Sequence, residues 1–244
     1  MNDEPYRWLE AIANRREYIR DRLKGATPVF AFSRPEGILL VAVGSGNSKV
    51  FEIYDRLALA ALGHPVDIEK IRQTVIEAAH MEGFTRSPED VTLRRLLNFS
   101  LGPALKTSFE QILSAPIIVE CVFAELATTA KHDVLARVGF DGTYHFEDKG
   151  VVVVHTDPAN EATAASWLRE QLNDSLSLGA VRRLALAAWG ALTVDKPFAP
   201  PTVPLDEGAT ASLAAAGRVV ECALLDRRSP ARVRYRALEP AELS

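Results

Sequence analysis

The sequence predicts an α+β chain whose antiparallel sheets are covered by pairs of helices. The hydrophobic period switches between that of strands and that of helices along the chain. The helical stretches come in pairs, and paired amphipathic helices need an apolar sheet face to bury their stripes. The runs 28–32 and 38–43 are apolar at nearly every position, which marks burial on both faces. At 244 residues one domain spanning 1–244 is expected, burying roughly 70–75% of its unfolded surface.

In order, residues 4–23 read as an amphipathic helix, because Trp8, Ile12, Ile19 and Leu23 recur at close to helical spacing. Asp3 suits its cap and Glu4 and Pro5 its first turn. Its stripe has two equal expectations, a neighbouring subunit or its own domain. Strands at 28–32 and 38–43 flank the turn Ser33-Arg34-Pro35-Glu36-Gly37. A second hairpin follows, with runs 50–54 and 57–62 joined at Tyr54-Asp55-Arg56 and ending at Gly63. Over 66–83 the residues Ile68, Ile71, Val75, Ile76 and Ala79 share a helical face. Ser87-Pro88-Glu89-Asp90 signals a helix start. That helix runs toward Leu113 and is kinked or divided at Pro103. Strands are expected at 117–126, 135–140, with a turn at Asp141-Gly142, and 151–155. Helices follow at about 160–172 and 176–192, then the Pro197–Pro204 linker and a last strand at 218–225. The Pro/Ala-rich stretch 197–216 reads as a connector.

Composition excludes several classes. The apolar share is 48%, the charged share 25% and the net charge −4. Nucleic acid is therefore not an expected partner, since phosphate binding needs concentrated positive charge. No signal-type segment opens the chain and no run reaches membrane-spanning length, so no membrane is expected and the cytoplasm is the expected location. Cys121 and Cys222, each inside an apolar run, read as free core thiols, with a disulfide left open.

The stretch KVFEIYDRLALAALG (49–63) sets a lysine fourteen residues ahead of a glycine across a buried hairpin. With it come DVTLRRLLN (90–98), VECVFAELA (119–127), SLGAVRRLALAAW (177–189) and ECALLDRRSPARVRYRAL (221–238). Together these segments, spread over most of 5–238, resemble the actinobacterial-style α-type subunits of bacterial proteasome core particles. The resemblance implies the four-layer αββα sandwich of the N-terminal-nucleophile hydrolases. It implies a non-catalytic subunit that forms a homo-heptameric ring, stacks on β-type subunits holding the active threonines, and takes a ring-shaped AAA ATPase as activator. Lys49 and Gly63 would help receive the ATPase's C-terminal tail, with Asp21 and Arg22 contributing from the adjacent subunit. Met1, Asn2, Asp3 and Glu4 would lie at the gate. His64 departs from the leucine common after that glycine in archaeal relatives.

Catalytic β-type subunits use an N-terminal threonine whose α-amine is the base. The matching position here is Thr27. It is preceded by Ala26 where self-cleavage uses glycine and followed by Pro28, which constrains the backbone. The position of the family's acid is Val43, and ungapped counting places Leu59 at the position of its lysine. No catalytic residue, cofactor or metal is expected: the histidines His64, His80, His132, His145 and His155 lack metal spacing. The alternative is a homomeric threonine hydrolase activated by cleavage before Thr27. A third possibility is a scaffold ring with no protease partner.

Overall fold

Strand β2 (Gly37–Gly44) is buried at every position, and it sets the layering, because successive side chains of a strand point to opposite faces. Ile38, Leu40 and Ala42 enter the core between two sheets. Leu39, Val41 and Val43 enter a second core under helices. The computed structural model describes residues 4–194, 196–201, 213–239 and 242, with side chains from Arg7 onward.

One sheet has the order β10 (Tyr235–Ala237), β9 (Val219–Asp226), β2, β1 (Val29–Arg34), β8 (Val151–Val154). The other runs β3 (Val50–Tyr54), β4 (Leu57–Gly63), β5 (Val119–Glu125), β6 (Val134–Val138), β7 (Tyr144–Glu147). Every pairing is antiparallel. Helices α5 (Pro158–Gln171) and α6 (Leu178–Leu192) cover the first sheet. Helices α2 (Pro65–Thr85), α3 (Leu93–Leu96) and α4 (Gly102–Glu110) cover the second. The result is the expected αββα sandwich.

Local chemistry sets the boundaries. Asp157 caps α5 by accepting from Ala159 N at 2.8 Å and Asn160 N at 3.3 Å, and Pro158 occupies the first turn, where its missing N–H is harmless. The helix expected from 87 to 113 is corrected in three ways. Ser87-Pro88-Glu89-Asp90 forms only a 3₁₀ turn, and the Ser87 hydroxyl bonds to Glu89 rather than capping the backbone. The helix proper starts at Leu93, capped by the Thr92 hydroxyl. Before Pro103 it widens into a π turn, Leu97–Leu101, where the Gly102 amide reaches back to Leu97 O. A widened turn eases a proline ring past the preceding carbonyls.

The edge strands β7 and β10 were not expected. Only partly buried or exposed residues line both of them, so neither carries the apolar run that signals a strand. Gly142, at φ 81°, makes the turn between β6 and β7.

Helix α1 (Glu4–Leu23) divides its loyalties. Ile19 and Leu23 are each 1% exposed and sit in the inter-sheet core, with Ile12 packed at its margin. Arg15 donates to the carbonyls of Ser108, Ser114 and Ile112 at 3.0, 2.8 and 3.3 Å, satisfying groups at and beyond the end of α4. The domain thus covers the second half of the stripe itself, while Trp8 remains 50% exposed and Leu9 64%. Met1, Asn2 and Asp3 lie outside the described residues, and Glu4 opens the helix. After α6 the irregular segment 197–201 inserts Phe198 beside Trp167. Residues 202–212 of the connector lie outside the described residues. Cys121 and Cys222 are free and buried.

Candidate functional site

The two residues singled out in 49–63 sit at the same end of the β3–β4 hairpin. Val50 pairs with Ala60, and the Lys49 carbonyl accepts from Ala61 N at 2.9 Å. Gly63 is two residues farther along β4, at φ 136°, where the chain leaves the sheet for α2. A Cβ on Gly63 would stand 2.2 Å from the Ile118 carbonyl oxygen. Glycine is therefore required there by close backbone approach as well as by its dihedral. The same carbonyl accepts from His64 N at 2.9 Å, and Asp67 answers by accepting from Ile118 N at 2.9 Å.

Lys49 is held from both sides. Its backbone N–H and that of Val50 donate to the Glu221 carboxylate of β9, at 2.9 and 3.3 Å for the nearer oxygen. This carboxylate links the two sheets, because β9 belongs to one and β3 to the other. At the far end of the side chain, Nζ donates to the Thr27 hydroxyl at 2.5 Å and the Thr27 carbonyl at 2.8 Å. No carboxylate lies within ion-pair distance of Nζ among the described residues. Burial lowers the Lys49 pKa to about 8, with Glu221 raising it and Arg218 lowering it further. The result is a half-buried ammonium with one N–H still to give.

Thr27 is engaged rather than poised. Its hydroxyl donates to the Val43 carbonyl at 2.6 Å while accepting from Lys49. Its nitrogen is an amide joined through Ala26 to α1, so the intact chain offers no α-amine at this point. The expectation that Leu59 occupies the lysine position is corrected. Leu59 is 0% exposed in the core under α2–α4, on the opposite face of β4 from Ala58 and Ala60. The lysine beside Thr27 is Lys49. Nothing in local sequence signals that contact, which spans 22 residues and depends on where the 45–48 loop returns the chain.

The remaining candidates disperse. Asp21 pairs with Lys24 at 2.6 Å on the exposed side of α1, and Arg22 is exposed nearby. No group of three metal-ligating side chains occurs among the described residues. Nor, among them, is any helix long and apolar enough to cross a membrane.

No family model matches the chain, but curated relatives do. It is 33% identical over 185 residues to the proteasome subunit alpha of Actinosynnema mirum, covering 75% of this chain and 68% of the relative. To that of Frankia casuarinae it is 31% identical over 234 residues, 95% of this chain and 91% of the relative. To that of a Nocardioides species it is 30% identical over 237 residues, covering 96% and 84%. The two longer matches span the hairpin, both sheets and both helical layers, and on these relatives the chain belongs to the proteasome α-subunit family.

Proposed function

We propose that this α subunit is non-catalytic and cytoplasmic, and forms the outer homo-heptameric ring of a proteasome core. In this reading it stacks on β-type subunits that carry the active threonines, and residues 1–4 limit passage through the axial pore. The groove at Lys49 and Gly63 receives the C-terminal tail of a ring-shaped ATPase, with Asp21 and Arg22 of an adjacent copy at its edge. The observation that carries the docking role is the Lys49 ammonium, half-buried and, among the described residues, without a carboxylate partner. A terminal carboxylate arriving there would complete a charge-assisted hydrogen bond contributing about 1.5–3 kcal/mol. The half-exposed Trp8 and Leu9 on α1 supply apolar surface for a second copy of the chain.

The test is Lys49→Ala in the assembled core. Ring assembly should persist and ATPase-stimulated degradation should disappear, and undiminished stimulation would end the docking proposal. A second reading, a threonine hydrolase processed before Thr27, draws on the contact between Lys49 and the Thr27 hydroxyl. Against it stand Pro28, the engagement of that hydroxyl with Val43, and the loss of Ile19 and Leu23 from the core that cleavage would bring. Intact mass with a peptidase assay separates the two. A full-length inactive chain fits the subunit; a chain lacking residues 1–26 that hydrolyses peptide, and loses this in Thr27→Ala, fits the enzyme.

A further inference from the structure

Beside Thr27 opens a groove of about 1250 Å³, walled by the end of α1, the turn between β8 and α5, the end of α6 and the approach to β9. Its charge runs against that of the molecule. In a chain of net charge −4, cations enter the groove from three separate parts of the sequence: Arg20 of α1, Lys196 after α6 and Arg218 before β9. None of these three side chains makes an ion pair or hydrogen bond among the described residues, and Arg218 is only partly exposed. Lys24 stands with them, paired to Asp21. Among the described residues Asp157 is the one carboxylate on the wall, and it is occupied in capping α5. The groove is also lined by Trp189, which is 9% exposed.

From this arrangement we infer that the groove binds an acidic polypeptide segment. Unpartnered cations in a partly enclosed site favour an anion, since desolvation strengthens the attraction and lessens screening. The volume exceeds what one small ion fills and matches a stretch of several residues. The cations come from three elements rather than from one fork, so carboxylates spaced along a chain suit them better than a compact phosphate. Because Arg218 acts against the charge on Lys49, an occupant that neutralises Arg218 also makes Lys49 easier to keep protonated.

The experiment is fluorescence anisotropy on the purified full chain with a labelled, C-terminally amidated decapeptide of alternating glutamate and serine. Amidation removes the terminal carboxylate, so the result is read separately from tail docking at Lys49. Saturable binding that weakens with salt is expected. The Lys196→Ala/Arg218→Ala pair should reduce it by at least about tenfold, while Lys70→Ala on the far helix layer leaves it unchanged. Both variants should keep the parent's thermal midpoint, because the substituted groove cations make no ion pair or side-chain hydrogen bond among the described residues. Absence of saturable binding, or equal binding by the double variant, would overturn the inference. Displacement of the peptide by an oligothymidylate at lower concentration would overturn it too, and assign the groove to phosphate polymers.

Discussion

Replacing Lys49 by methionine tests the electrostatics of the site without requiring any partner. Methionine keeps most of the length and apolar stem and removes the charge. The folded protein holds the Lys49 pKa at about 8, against 10.5 for the free side chain, mainly through burial. A lowered lysine pKa means the folded state resists the charged form. Below pH 8 both folded and unfolded states carry the proton, and the burial penalty is present in full. As pH rises past 8 the folded state releases the proton while the unfolded state still binds it, so stability rises with pH up to 10.5. Between pH 7 and pH 9.5 that linkage is worth about 2 kcal/mol. The assay is urea unfolding of parent and Lys49→Met at a series of pH values, taking the difference so that other titrating groups cancel. The parent should gain about 2 kcal/mol on the variant across that window. A difference that stays flat with pH would show that the ammonium is solvated, and would refute the account of a half-buried cation. The same titration predicts that tail-stimulated degradation falls as pH rises through about 8, since the neutral amine no longer attracts a carboxylate.

Three further outcomes are expected. Gly63→Ala should lower stability by about 1–3 kcal/mol, read from the urea midpoint, because its Cβ meets the Ile118 carbonyl and its φ is unfavourable for alanine. Arg15→Ala removes three hydrogen bonds from the anchor of α1. Limited proteolysis should then cut within α1 several-fold faster than in the parent, and an unchanged rate would mean Ile19 and Leu23 suffice. Arg182, 8% exposed, has a buried Nε without an acceptor and pairs with no carboxylate among the described residues. Arg182→Met should therefore raise the thermal midpoint, by about 1 kcal/mol of stability, since an apolar replacement escapes the desolvation of a buried charge.

Legibility in the sequence followed the source of each element's stability. Strands β1 and β2 were readable because both of their faces are apolar, and α5 and α6 because their caps and stripes are local. The edge strands β7 and β10 escaped because YHFE and YRA show no apolar run, and their existence depends on a neighbouring strand already being in place. The start of the helix before Pro103 was misplaced because Ser87-Pro88 and Thr92 both carry helix-start chemistry, and the extended backbone at Val91 decides between them. At the candidate site the hairpin and its glycine were legible. The grip of Lys49 on Thr27 and of Glu221 on the Lys49 backbone was not, since these contacts join residues 22 and 172 positions apart. Counting along the chain pointed to Leu59; only the three-dimensional return of the 45–48 loop brings Lys49 to that place.

The half-anchored first helix also has a mechanical meaning. Arg15 is fastened, and Glu4 stands eleven residues before it, about 16 Å along the helix axis at 1.5 Å per residue. A bend of about 10° at the Arg15 fastening would swing the tip at Glu4 by about 3 Å, while Ile19 and Leu23, on the other side of the bend, stay packed in the core. Small angular changes where Arg15 meets the α4 terminus are thus converted into larger linear displacements at Glu4, as at the tip of a beam whose base is embedded in the core.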